Sequence, residues 1–79
     1  MTIIFNKKLG IIKGVFSGDL QTIKSLYGDE AEDYALIWDE INMPDDETVI
    51  HHSSQFIINV NTRQLEMIPV ISSYPISKN

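Results

Sequence analysis

TIIFNKKLGIIKGVF, residues 2–16, decides how the rest of the chain must be arranged. Thr2, Ile3, Ile4 and Phe5 are β-branched or aromatic, the composition of a strand. Asn6-Lys7-Lys8-Leu9-Gly10 then supplies a turn, with Asn and Gly where positive φ is needed. Ile11 to Phe16 resumes the strand signal, so the stretch predicts a β-hairpin with a loop of about four or five residues. Ile3-Ile4 and Ile11-Ile12 each place two Ile in succession. Successive side chains of a strand point to opposite faces, so this hairpin is apolar on both sides.

Downstream, Ser17 stands where a helix N-cap belongs and Asp19 falls in the first turn. Leu20, Ile23, Leu26 and Tyr27 recur at helical spacing, and Gly28 stands where a helix stops. The spacing predicts a short helix over 18–27. Asp29 with Glu32 has capping-box spacing and opens a second helix to about Trp38, with Tyr34, Ile37 and Trp38 as its apolar face. A short strand to Met43 follows, since a residue before proline favours extended backbone. Pro44-Asp45-Asp46 reads as a loop, and 47–53 is ambiguous between strand and helical turn. Phe56, Ile58 and Val60 alternate with Ile57 and Asn59. Asn61-Thr62-Arg63 turns the chain, and 65–70 alternates again, with Pro69 marking an edge.

Strands flank the helices instead of alternating with them. The reading is therefore α+β: a mostly antiparallel sheet of four or five strands, two hairpins plus a short strand, with one or two short helices on one face. One domain is expected over 1–71, with a loose tail over 72–79.

The chain has 79 residues, no Cys and thirteen Ile. Disulfides and thiolate chemistry are thereby excluded, and the core of a domain this small is near the lower limit of independent stability. No stretch matches a signal peptide or a bilayer span, so a cytoplasmic protein is expected. Charge is unevenly spread: residues 1–24 carry Lys7, Lys8, Lys13 and Lys24 against Asp19 alone. Residues 25–62 hold nine carboxylates and no Lys or Arg: Asp29, Glu30, Glu32, Asp33, Asp39, Glu40, Asp45, Asp46 and Glu47. A net charge of −5 argues against direct nucleic-acid binding, whose phosphates need cations.

Motifs for chemistry are weak. Asp29 and Glu40 occupy the first and twelfth places of a calcium-type loop, but Ala31 and Tyr34 fail at its ligand and glycine positions. His51 and His52 are the metal candidates, with Asp45, Asp46 or Glu47 as oxygen partners. Adjacent histidines point apart on a strand and diverge by about 100° on a helix, so no metal and no cofactor are expected. Ser53 and Ser54 lack the context of a hydrolase nucleophile. Gly10, Gly14, Gly18 and Gly28 match no phosphate loop. Aromatic residues read as core.

Double-sided apolar strands carry the interaction reading. With helices covering one sheet face, the other exposes Ile4, Ile57 and Ile68, a patch of the kind that marks an interface. The acidic middle can steer a basic protein partner, or the lysine-bearing end of an identical chain.

IIFNKKLGIIKGVFSGDL and the later FIINVNTRQLEMI resemble small proteins encoded by bacteriophages and prophages of Gram-positive bacteria. The likeness implies a phage accessory or structural role, and hence a virion location as an alternative to the cytoplasm. It assigns no site residues. The expected function is a non-enzymatic interaction protein, self-associating or binding a basic protein. The alternatives are an acidic DNA mimic that inhibits a DNA-handling protein, and a small metal-dependent enzyme using His51, His52, Asp45 and Asp46.

Overall fold

A computed structural model describes residues 1–69. Its centre is β1, Thr2–Asn6, flanked antiparallel by β2, Ile12–Phe16, and β3, Trp38–Asn42, in the order β2-β1-β3. A middle strand buried on both faces explains the paired Ile3-Ile4. Ile3 and Phe5 pack on one face with Met1, Val49 and Ile58. Ile4 packs on the other with Ile23 and Ala31, backed by Leu26, Tyr27, Tyr34 and Trp38. Each fully buried Ile or Phe of this kind stabilises the fold by roughly 1.5–3 kcal/mol. The register of β1 against β2 shifts between Ile4 and Phe5, because Ile4 faces Gly14 and Phe5 faces Ile12. Lys13 is thus the extra residue of a bulge.

The second hairpin forms its own two-stranded sheet from β4, Phe56–Asn59, and β5, Gln64–Met67. The five strands therefore divide three and two, and one bridge, Ile11 to Ile57, joins them. Beside that bridge, Ile58 N–H donates to the Gly10 carbonyl at 2.9 Å. Gly10 has φ +78°, and a Cβ there would stand 1.8 Å from the Ile58 carbonyl oxygen, so only glycine fits. Both hairpin turns use the same device. Asn6 Oδ1 accepts from Lys8 and Leu9 N–H, and Asn59 Oδ1 accepts from Asn61 and Thr62 N–H.

The helices differ from the sequence reading in extent. α1 covers Ile23–Tyr27, five residues later than expected, and its N-cap is Thr22 instead of Ser17. Thr22 and Ser25 exchange side-chain to backbone hydrogen bonds, a complete capping box. Gly18 has φ +91°, which places a turn where the helix was expected to begin. Leu20, expected on the apolar face, is exposed. After a 3-10 turn at Gly28–Glu30, α2 spans only Ala31–Tyr34, and no Asp29–Glu32 capping box forms. The helix stops before Trp38 because β1 claims that residue: Trp38 pairs with Asn6, and Lys7 N–H donates to the Ile37 carbonyl at 2.9 Å. Tertiary strand pairing here overrides local helical spacing.

The ambiguous segment resolves as α3, Glu47–His51, followed by a 3-10 turn at Ser53–Gln55. Asp46 caps α3, its carboxylate accepting from Thr48 and Val49 N–H. α3 sends Val49 into the core on the Ile3 side, so helices cover both faces of β1 and not one. The strand expected over 65–70 ends at Met67. Val70, Ile71 and the expected tail over 72–79 lie outside the described residues.

Candidate functional site

Burial first corrects the apolar patch. Ile4 is 0% exposed, so it belongs to the core and cannot present itself to a partner. The reason is the covering of β1 from both sides. Ile57 is half-buried at the bridge to Ile11. Ile68 is 42% exposed and lies beside Ser54, Gln55, Met67 and Pro69. The three therefore form no continuous face.

The acidic middle separates into two groups. One group ties the fold together. Asp39 pairs with Arg63 at 3.1 Å. Glu40 Oε1 accepts from Ile23 N–H at the start of α1, at 3.0 Å. Asp45 pairs with the Met1 ammonium at 2.6 Å and accepts from Gly18 N–H. Those contacts, the Met1 hydrogen bond first and the Gly18 N–H next, hold the Asp45 carboxyl below the usual carboxylate range. Asp46 caps α3, and Glu47 lies 3.2 Å from His51 one turn on.

The other group is free. Asp29, Glu30, Glu32 and Asp33 are all exposed on the 3-10 turn and α2. No ion pair or side-chain hydrogen bond engages them among the described residues. Directly after them come Leu36, 77% exposed, and Ile37, 54% exposed. Ile37 also lines a cleft of about 160 Å³ with Asp33, Tyr34 and Trp38. Tyr34 stacks on Tyr27 with centroids 4.0 Å apart. Lys13, thrown onto this side by the bulge, places its ammonium 4.9 Å from the Trp38 ring centre and 5.8 Å from that of Tyr34.

His51 and His52 are both exposed. Among the described residues no three His, Cys, Asp or Glu side chains converge as metal ligands would. No helix among them is long and apolar enough to cross a membrane.

Three contributors escaped the sequence reading. Leu36 and Ile37 carry the exposed apolar surface beside the free carboxylates, and a signal for them existed. Ala35-Leu36-Ile37-Trp38 is four apolar residues in a row, which only an element covered on both faces buries whole. Arg63, read only as a turn residue, bridges the two sheets. Its Nη2 donates to the Glu40 carbonyl at 3.2 Å and its guanidinium lies over Phe5. Nothing local to Asn61-Thr62-Arg63 reveals that reach.

No protein-family model, curated protein or solved structure matches this chain.

Proposed function

We propose that this chain is a small non-enzymatic interaction protein whose partner is a protein with a basic surface. One observation carries the reading: Asp29, Glu30, Glu32 and Asp33 stand free on one short segment, next to exposed Leu36 and Ile37. Anionic groups steer and orient a cationic partner. Exposed apolar side chains supply the contact area that holds it. Since Asp39, Glu40, Asp45 and Asp46 are engaged internally, the free carboxylates make one patch and not two extended rows, which favours a protein partner over DNA mimicry. A phage or prophage accessory role, in the cytoplasm or the virion, belongs to the same reading and draws on the resemblance of the two hairpins.

Self-association is the second reading. Met67 and Ile68 are exposed beside β5, whose outer edge pairs with no other strand among the described residues. Such an edge is a template for a second copy.

Capture from the source cell with the wild-type chain and with the quadruple variant D29N/E30Q/E32Q/D33N tests the first reading. The wild type should retain a basic protein that added salt releases and the variant fails to hold. Equal capture by both chains removes the basic-partner reading. Light scattering tests the second: a monomer at all concentrations ends it.

A further inference from the structure

We infer that the cleft between α2 and β3 receives an arginine side chain of a basic protein partner; this deepens the reading just given and rests on it. The cleft is lined by Asp33, Tyr34, Ile37 and Trp38 and holds about 160 Å³. That is below the ~300 Å³ at which small-molecule sites begin, so it suits one side chain and not a whole metabolite. Its walls match the parts of arginine. Ile37, more than half exposed, offers an apolar surface for the methylene stem. Tyr34 and Trp38 line it with aromatic side chains, and the stacking of Tyr34 on Tyr27 at an interplanar angle of 12° covers one Tyr34 face and holds that ring in place. Asp33, which lines the cleft, offers a carboxylate with no internal partner among the described residues, and a carboxylate can meet a guanidinium with two parallel hydrogen bonds.

These rings already attract a cation. Lys13 lies within 6 Å of both ring centres, the range over which a ring quadrupole attracts positive charge. Lys13 does not line the cleft, and because its ammonium lies over the same rings it must swing aside as a guanidinium enters. Arginine fits better than lysine because its planar, weakly hydrated head stacks on aromatic rings while pairing with a carboxylate. The flanking Asp29, Glu30 and Glu32 supply the complementary field that draws a basic surface to this end of the molecule.

Trp38 is the only tryptophan and lines the cleft, so its fluorescence reports on this end of the molecule. The test titrates the intact chain with N-acetyl-arginine amide, with its neutral citrulline isostere and with N-acetyl-lysine amide, all at constant ionic strength. Arginine amide should give a saturable change in Trp38 emission, weakened about fivefold in Asp33→Asn, the loss expected from one exposed ion pair. Asp19→Asn, exposed and outside both the cleft and the acidic patch, should leave it within about twofold. No saturable change, or an equal response to citrulline, overturns the inference. So does an unchanged response in Asp33→Asn, and an equal response to lysine amide overturns the choice of arginine. If arginine amide is silent while cellular capture still depends on the four carboxylates, the cleft falls and the functional reading stands. If arginine amide binds while capture ignores those carboxylates, the functional reading falls, and with it the claim that a protein partner supplies the arginine.

Discussion

Asp45 holds two donors at once, the Met1 ammonium and Gly18 N–H, and so ties the first residue to the loop before α3 and to the turn after β2. Its carboxyl is held below the usual range when folded. The folded state therefore binds this proton less readily than the unfolded state. The stabilisation is present at neutral pH and disappears as pH falls through the depressed folded value. Urea midpoints of Asp45→Asn should lie below wild type near pH 7, with the gap closing as pH falls below the usual carboxylate range. A gap independent of pH contradicts the pairing. Arg63 is the second telling residue. It has φ 59°, a left-handed conformation that costs an L-residue about 1–2 kcal/mol. Arg63→Ala keeps that cost and loses the contacts to Asp39, Glu40 and Phe5; Arg63→Gly loses the contacts but relieves the backbone. Denaturation should find the glycine variant the more stable of the two, by about 1 kcal/mol.

At the scale of elements, shortness is the rule, and caps and pairing must make up for it. α1 and α3 have five residues each and α2 four, far too few to persist alone. α3 depends on the Asp46 cap and on Val49 in the core. Asp46→Ala should cost about 1 kcal/mol, and Asp46→Asn distinctly less, by urea denaturation. The first hairpin depends on Gly10. Gly10→Ala must either move the β4 backbone or give up the Ile58 hydrogen bond, in a left-handed conformation besides. A loss of about 3 kcal/mol or outright unfolding is expected, read by circular dichroism melting. β3 shows how an edge is closed. Its Glu40 N–H donates to Asp39 Oδ1 and its carbonyl accepts from Arg63, so the middle of that edge is not open to another strand.

For the molecule as a whole, β1 is the keel between two small cores. Ile4→Ala should destabilise by about 2–5 kcal/mol, because a cavity opens where α1 and α2 meet the sheet. The same variant should leave the mass measured by light scattering unchanged, since Ile4 touches no solvent. A change in association state with little loss of stability would return Ile4 to the surface. The two sheets share the core around Ile3, Phe5 and Ile58, and their polar links are the Ile11–Ile57 bridge, the Gly10–Ile58 bond and Arg63. Arg63 is the long-range side-chain tie among these links, so its loss loosens the second hairpin more than β1. In Arg63→Ala, amide exchange should quicken over 56–67 more than over 2–6.

Local chemistry in the sequence determined the α+β class, both hairpins, the Asn-led turns and the absence of cysteine chemistry, because alternation and turn residues act over a few neighbours. The double apolar signal at Ile3-Ile4 was legible too, but its meaning was not. Whether Ile4 faces water or a helix depends on α1 and α2, whose Ile23 and Ala31 lie 19 and 27 residues further along the chain. The acidic run likewise announced itself as charge alone. Only folding brought Asp39 to Arg63, Glu40 to α1 and Asp45 to Met1, and so left Asp29 to Asp33 free beside the Tyr34–Trp38 cleft. Periodicity is a property of neighbouring residues, whereas pairing and burial are set by which distant segments meet.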